Sequence, residues 1–191
     1  GIGFGLGSSG DDRTYPDDPY PGIGYLGHID GVIRNNFVVA NDARLFASPD
    51  GFDTGIGLEQ SRGTELVHNT VYSSSDPLSS SMEWRFGNTL VHVANNLVSH
   101  WLSTRDGASV DLESTLESTP STWFVNPAGA DLHLTPLAAL AVDAGTPLEA
   151  GLCEQDIDGE PRDSSPDIGA DEIGGPIFAD GFESGDAAAW S

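Results

Sequence analysis

The chain has 191 residues, which is enough for one domain with its own core. Its 30 acidic residues greatly outnumber its 7 basic residues, all of them Arg, and the formal net charge is −23. Such a surface repels phosphate backbones and anionic lipid, which argues against nucleic acid and membrane surfaces as partners. No apolar run approaches the roughly 20 residues of a membrane-spanning helix. Cys153 is the only cysteine, so no internal disulfide can form.

Two phrases recur along the first half of the chain and predict a solenoid. The first, Gly-Ile-Gly, is found at residues 1–3, 22–24 and 55–57. The second, rich in Val, Ile and Asn, is found at residues 32–38, 66–71 and 92–98. Aligning Asn35, Asn69 and Asn95 gives steps of 34 and 26 residues. Alternation with a period of two predicts strands, and unequal steps suit rungs that differ by loop insertions.

The same alternation predicts which side chains face the interior of three rungs between about residues 22 and 100. The inward set is Ile33, Asn35, Phe37, Val67, Asn69, Val71, Val93, Asn95 and Leu97. A buried Asn needs hydrogen-bond partners, and stacking one Asn per rung supplies them. We therefore expect Asn35, Asn69 and Asn95 to form a ladder, a structural role rather than a ligand-binding one.

A further strand is predicted around residues 82–86. Its inward residues are Met82, Trp84 and Phe86. Glu83 and Arg85 then face outward. Counting back ten residues from the aligned Asn positions places Glu59 beside Arg85 on the neighbouring rung, and Leu58 over Trp84. A register slip of one residue would break this pairing.

From about residue 121 the motifs resemble those of a known family. In order they are FVNP at 124–127, DLHLTP at 131–136, AVDAG at 141–145, DIDGEPR at 156–162 and PDIGADE at 166–172. Over 124–172, and more loosely over 31–98, the chain resembles the C-terminal end of bacterial secreted right-handed parallel β-helix repeat proteins. Its ending, FADGFESGDAAAWS, resembles a tail found on exported bacterial proteins.

The resemblance implies an all-β fold, a right-handed parallel β-helix with an irregular C-terminal cap, in a secreted protein. It divides the chain into rungs at 1–120, a cap at 121–175 and a short tail at 176–191. The superfamily includes polysaccharide lyases and many members without known activity, so the fold alone does not give the function. Because Gly1 opens directly in a repeat phrase, we expect an upstream portion of the chain or another protein to cover the N-terminal rung.

A polysaccharide lyase needs a base and a cation that neutralises the uronate carboxylate. The sequence has no Lys, so Arg85 is the best-placed candidate base, with Arg34 and Arg44 as others. Glu59 and Glu83 are candidate catalytic carboxylates or Ca²⁺ ligands. The alternative is that Glu59 and Arg85 form only a surface ion pair worth about 0–1 kcal/mol. The structural interpretation is favoured, because an ion-paired Arg is a poor base.

Other constellations carry weaker signals. Asp53 extends the possible carboxylate pairs of a glycosidase, but so acidic a chain produces such pairs by chance. Three His residues lie in or beside predicted strands: His28, His68 and His92. Their positions suggest structural hydrogen bonds, and their spacing matches no metal motif. Asp156–Gly159 starts like a calcium loop but lacks the later ligands, so a turn held by side-chain-to-backbone bonds is expected.

Two functions remain open. The first is a carbohydrate-active protein, a polysaccharide lyase more readily than a glycoside hydrolase, with a groove over Glu59, Glu83 and Arg85 walled by loops near Asp53 and Asp76. The second is a non-catalytic extracellular module for glycan binding or surface attachment. Its candidate aromatic contacts are Tyr15, Tyr20, Tyr72 and Trp101. Either function implies a polysaccharide partner, anionic or uronate-containing, with Ca²⁺ as the one suggested cofactor and no organic cofactor.

Overall fold

The structure is a computed structural model that describes residues 1–5, 17–49 and 51–174. Tyr15 and the C-terminal tail, together with most of the N-terminal segment before the second Gly-Ile-Gly phrase, lie outside the described residues. The strands are β1 Ile2–Phe4, β2 His28–Ile29, β3 Val32–Arg34, β4 Phe37–Ala40, β5 Thr54–Glu59, β6 Ser61–Val67, β7 Thr70–Ser73, β8 Ser80–Arg85, β9 Leu90–Ala94, β10 Leu97–Val98, β11 Leu102–Arg105, β12 Ser109–Glu113, β13 Phe124–Asn126 and β14 Asp131–Leu134.

Helical structure is sparse in the same ranges. The helices are α1 Ala43–Ala47 and two 3₁₀ turns, Ser121–Trp123 and Pro127–Gly129. None of them is long and apolar enough to cross a membrane.

Three parallel sheets contain β1 to β12. Sheet A has the order β1-β5-β8-β11, sheet B has β2 and β3 beside β6, then β9 and β12, and sheet C has β4-β7-β10. The chain visits sheets A, B and C in turn and then returns to A, one position further along. We call each such pass a circuit. An all-β chain built on parallel sheets is therefore confirmed, and the arrangement is compatible with a β-helix.

The inward side chains of the three sheets form one apolar core. Its members are Ile33, Ile56, Leu58, Leu66, Val71, Met82, Trp84, Val91, Val93 and Val98. Burying such residues contributes about 1.5–3 kcal/mol each before conformational entropy is counted. The predicted register in sheet A is confirmed, since Leu58 pairs with Trp84 and Glu59 with Arg85. Phe86 lies outside this core, because β8 ends at Arg85 and the backbone of Phe86 turns left-handed with φ 71°.

A pair of polar residues forms the corner between sheets B and C in each circuit. The first residues of the pairs are Asn35, His68 and Asn95, with left-handed φ of 51°, 49° and 56°. The second residues form the amide ladder: the side chain of Asn36 donates to Asn69 at 2.8 Å, and that of Asn69 donates to Asn96 at 3.0 Å. A ladder is confirmed, but the predicted register is wrong, because Asn36 and Asn96 align with Asn69.

The left-handed corner also changes which side chains face the core. Ile33, Val71 and Val93 are inward as predicted. Beyond the corner the alternation restarts one residue later, so Val38 packs against the central core and Phe37 does not. The predicted inward positions of Phe37 and Leu97 are therefore wrong. That of Val67 is also wrong, because Leu66 is the residue that pairs with Ile33 and Val93. These three side chains lie on the outer faces of sheets B and C, in separate clusters.

The C-terminal segment, residues 121–174, packs along the side of the sheets and covers the part of those outer faces where Phe37, Val67 and Leu97 lie. Its main cluster is Leu97, Phe124, Leu132, Leu134, Ala138, Ala141 and Ile168. Inside the segment a buried ion pair joins Arg162 and Glu172 at 3.0 Å, with side chains 3% and 5% exposed. The Asp156 carboxylate accepts hydrogen bonds from the backbone N–H groups of Asp158 and Glu160, so the turn expected there is confirmed.

Candidate functional site

The predicted site residues lie together on the outer face of sheet A. Glu59 and Arg85 face each other across β5 and β8. Glu83 precedes Arg85 by two residues on the same face. Arg105, on the next strand, is opposite Arg85. Two cations and two carboxylates therefore share three adjacent strands.

Glu83 is buried although it points outward, with only 4% of its surface exposed. Its Oε2 accepts hydrogen bonds from Arg105 at 2.7 Å and from the hydroxyl of Ser79 at 2.6 Å. The guanidinium of Arg85 lies 3.9 Å from its other oxygen. A buried carboxylate is tolerated when it is paired and hydrogen-bonded in this way. Glu83 therefore holds the neighbouring cations in fixed positions.

Arg85 is the centre of the ion-pair network. It is 2.8 Å from Asp106 and 3.4 Å from Glu59, and its side chain is 27% exposed. The hydrogen bond to Asp106, together with the nearby charges of Asp106, Glu59 and Glu83, outweighs partial burial and raises the pKa of Arg85 above its usual value. An arginine in this setting remains a cation. The geometry suits binding of polar or anionic groups better than proton abstraction.

The other candidate bases lie elsewhere. Arg34 donates to the backbone carbonyls of Gly151 and Leu152, so it ties the C-terminal segment to β3. Arg44 lies on α1, pairs with Asp42, and its side chain is 90% exposed. The structure does not bring either residue to Glu59, Glu83 and Arg85.

The loop before β8 borders the sheet A face. The backbone N–H groups of Ser79 and Ser80 donate to the carbonyl of Asp53, which joins the two loops predicted as walls. Asp76, in the same loop, contacts His100 at 3.2 Å. The loop meets the face itself through the hydroxyl of Ser79, which binds Glu83.

Of the candidate aromatic residues that the structure describes, Trp101 is exposed to a ligand beside this face. Tyr20 donates its hydroxyl to Asp30 at 2.6 Å, and Tyr72 packs edge-on against Phe124. Trp101 is 39% exposed, and its indole N–H donates to the carbonyl of Ser79. Because alternate residues share a face, Trp101 lies on the same side of the sheet as Arg105.

A second polar cluster, which the sequence did not reveal, lies on the outer face of sheet B. Glu65, His92 and Asp111 are directly opposite one another on β6, β9 and β12. Glu113 follows on the same face, two residues after Asp111. The signal in the sequence is the 27-residue step from Leu66 to Val93 in sheet B. Aligning Asn69 with Asn95 gives a step of 26 residues, which does not place Glu65 opposite His92.

A cleft of about 240 Å³ lies over this second cluster. Its lining residues are Glu65, His92, Glu113, Pro147, Leu148, Glu149 and Leu152. The C-terminal segment forms the wall opposite the sheet, and it supplies a further carboxylate, that of Glu149.

The comparisons with known proteins gave no assignment. No family model, no curated protein and no solved structure matches the chain.

Proposed function

We propose that the chain forms a right-handed parallel β-helix, exported from a bacterial cell, that binds polysaccharide through the outer face of sheet A without cleaving it. The observation that carries the proposal is the alignment of Arg85 and Arg105 beside the exposed ring of Trp101. These are the groups that bind sugars: an aromatic face for the apolar side of the ring, and guanidinium groups for hydroxyl or carboxylate oxygens.

The charge of the chain makes this face distinctive. Against a net charge of −23, Arg85 and Arg105 concentrate two of the seven Arg residues on adjacent strands. From Trp101 to Arg105 the strand extends about 13 Å at roughly 3.3 Å per residue. This length spans more than one sugar ring. Glu59, Glu83 and Asp106 offset the charge of these two cations on the face itself. An anionic glycan therefore needs Ca²⁺ to approach here, whereas a neutral glycan does not.

Binding is favoured over cleavage because of the environment of Arg85. A lyase base must give up its proton before it can accept one from the sugar. The carboxylates of Glu59, Glu83 and Asp106 all stabilise the protonated form of Arg85. A polysaccharide panel scored for new unsaturated chain ends, with and without Ca²⁺, should therefore give no product.

Substitution of the two binding groups tests the proposal. We expect Arg85→Ala and Trp101→Ala each to weaken polysaccharide binding at least about tenfold, since a charged hydrogen bond or a buried aromatic contact is worth about 1.5–3 kcal/mol. The measurement is affinity electrophoresis in gels that contain neutral or uronate polymers. Thermal unfolding of Arg85→Ala should hardly change, because the pairs of Arg85 are partly solvated.

Arg44→Ala is the matched control, because it removes one Arg charge from an exposed position on α1 and should leave binding unchanged. Absence of binding to every polymer, or equal binding by all three variants, would contradict the proposal. Release of unsaturated ends would replace it with the lyase function.

A further inference from the structure

We propose that the outer face of sheet B holds a divalent transition-metal site, with Zn²⁺ as the best-fitting ion and His92, Asp111 and Glu113 as its ligands. The ligand atoms of these three residues lie within 4.8 Å of one another. They come from adjacent strands, β9 and β12, whose register fixes His92 opposite Asp111. The proposal is independent of polysaccharide binding on sheet A.

The imidazole of His92 is already oriented for a metal. Its Nδ1 lies 2.6 Å from Oε2 of Glu65, and we assign the proton to Nδ1 because an ionised carboxylate can only accept a hydrogen bond. In the neutral ring Nε2 then presents its lone pair. A carboxylate that holds the far nitrogen of a metal-binding His fixes its tautomer and raises its basicity. Glu65 is therefore a positioning residue.

The carboxylates of Asp111 and Glu113 have no ion-pair partner of their own among the described residues. Every salt bridge found in those ranges joins other residues, and the cluster's single possible cation is His92. Asp111 and Glu113 are two residues apart on one face of β12, and like charges held this close repel each other. A divalent cation would reverse that repulsion, because it would be the largest local charge.

The choice of ion follows from the ligand atoms. Ca²⁺ and Mg²⁺ prefer oxygen ligands alone, whereas an imidazole with carboxylates suits Zn²⁺ and its neighbours. Ligands at about 2.1 Å from a tetrahedral Zn²⁺ are about 3.4 Å apart. Zn²⁺ would therefore draw the ligand atoms of Asp111 and Glu113 inward from their present separations of up to 4.8 Å, and both side chains are exposed and can rotate. Three protein ligands leave the fourth position to water from the cleft.

A second His cluster shows the alternative arrangement. His133 has Nδ1 2.6 Å from Asp131 and Nε2 2.9 Å from Asp158, so carboxylates engage both of its nitrogens. Burial opposes its ionisation, but the hydrogen bond to Asp131 and the charges of Asp171 and Asp158 outweigh burial and raise the pKa of His133. Both ring nitrogens of His133 thus already have carboxylate partners. At His92 only Nδ1 has such a partner within residues 1–5, 17–49 and 51–174.

Calorimetric titration of the metal-free chain with Zn²⁺ alone tests the site. We expect one Zn²⁺ per chain, an affinity at least about a hundredfold lower for His92→Gln, and about ten- to a hundredfold lower for Glu65→Gln. Ca²⁺ should bind this site much more weakly than Zn²⁺. Nitrogen NMR of the His side chains should show Zn²⁺ shifting the Nε2 signal of His92.

The double variant Asp111→Asn/Glu113→Gln gives a readout that a merely structural cluster would not produce. Without metal its thermal midpoint should equal or exceed that of the parent chain, because repulsion is relieved. With Zn²⁺ the parent midpoint should rise, as for any ligand of the folded state, and the variant's should not.

His133→Gln is the matched control and should bind Zn²⁺ like the parent chain. The proposal is overturned if the parent binds no Zn²⁺, if His92→Gln or the double variant binds it as well as the parent, or if His133→Gln loses as much affinity.

Discussion

Asn69→Ala should destabilise the chain by about 3 kcal/mol, because it removes the middle of the amide ladder. Asn69 is fully buried. Its Oδ1 accepts from the side chain of Asn36, and its Nδ2 donates to Asn96 and to the carbonyls of Ile33 and Val67. Alanine replaces none of these bonds, and each buried group left without a partner costs about 1–3 kcal/mol.

Urea unfolding measures this loss, provided that the slope with denaturant is unchanged. Asn126→Ala is the control, since Asn126 is exposed and accepts one bond from the N–H of Gly129 at a turn. It should cost about 1 kcal/mol or less. Equal losses in the two variants would show that the ladder contributes nothing beyond an ordinary capping bond.

The amide ladder shows which features of the fold the sequence repeat can predict and which it cannot. The repeated phrase predicts parallel strands and a buried amide stack, and both are present. It does not distinguish the two residues of each corner pair, because the first and third circuits contain Asn-Asn where the second contains His68-Asn69. Asn and His both tolerate the left-handed backbone of the first position better than most residues. Aligning the first Asn of each doublet with Asn69 therefore gave the wrong register.

The 26-residue step taken from the Asn alignment also determined which of the two polar clusters the sequence could predict. From Glu59 to Arg85 the step is 26 residues, so the sheet A pairing emerged from the sequence correctly. From Arg62 to Leu90 it is 28, because the corner between β8 and β9 is longer. An irregularity at Gly63, whose φ is 66°, then reduces it to 27. The alternation of apolar residues does not indicate these changes in step length. The sequence therefore does not predict that Glu65 lies opposite His92.

Acidification from pH 6.5 to 4 should remove roughly 3 kcal/mol of stability through His68 alone. His68 is 1% exposed. Its Nδ1 donates to the carbonyl of Gly169, and its Nε2 accepts from the side chain of Asn95. Burial, and then the charge of Arg162, lowers the pKa of His68 to about 3, against the opposing effect of its backbone hydrogen bonds.

The direction of this pH dependence follows from proton uptake by the unfolded chain. As the pH falls, His68 takes up a proton in the unfolded chain, where its pKa is about 6.5, at a higher pH than in the folded chain. Stability is therefore complete above pH 6.5 and is lost as the pH falls toward about 3, by about 1.4 kcal/mol per pH unit. Burial raises the pKa values of Asp167, Asp171 and Glu172, which gives these groups the opposite dependence.

Comparison with His68→Asn isolates the effect of this one group. Asn occupies the same left-handed corner position in the neighbouring circuits, at Asn35 and Asn95, and does not titrate. Urea unfolding at pH 7 and pH 4 should therefore show a loss on acidification that is smaller by roughly 3 kcal/mol in the variant, since the carboxylates and His133 are common to both chains. His133→Gln should keep the acid loss due to His68. If His68→Asn and the parent chain lose the same stability, the ring of His68 is accepting its proton without disrupting the corner.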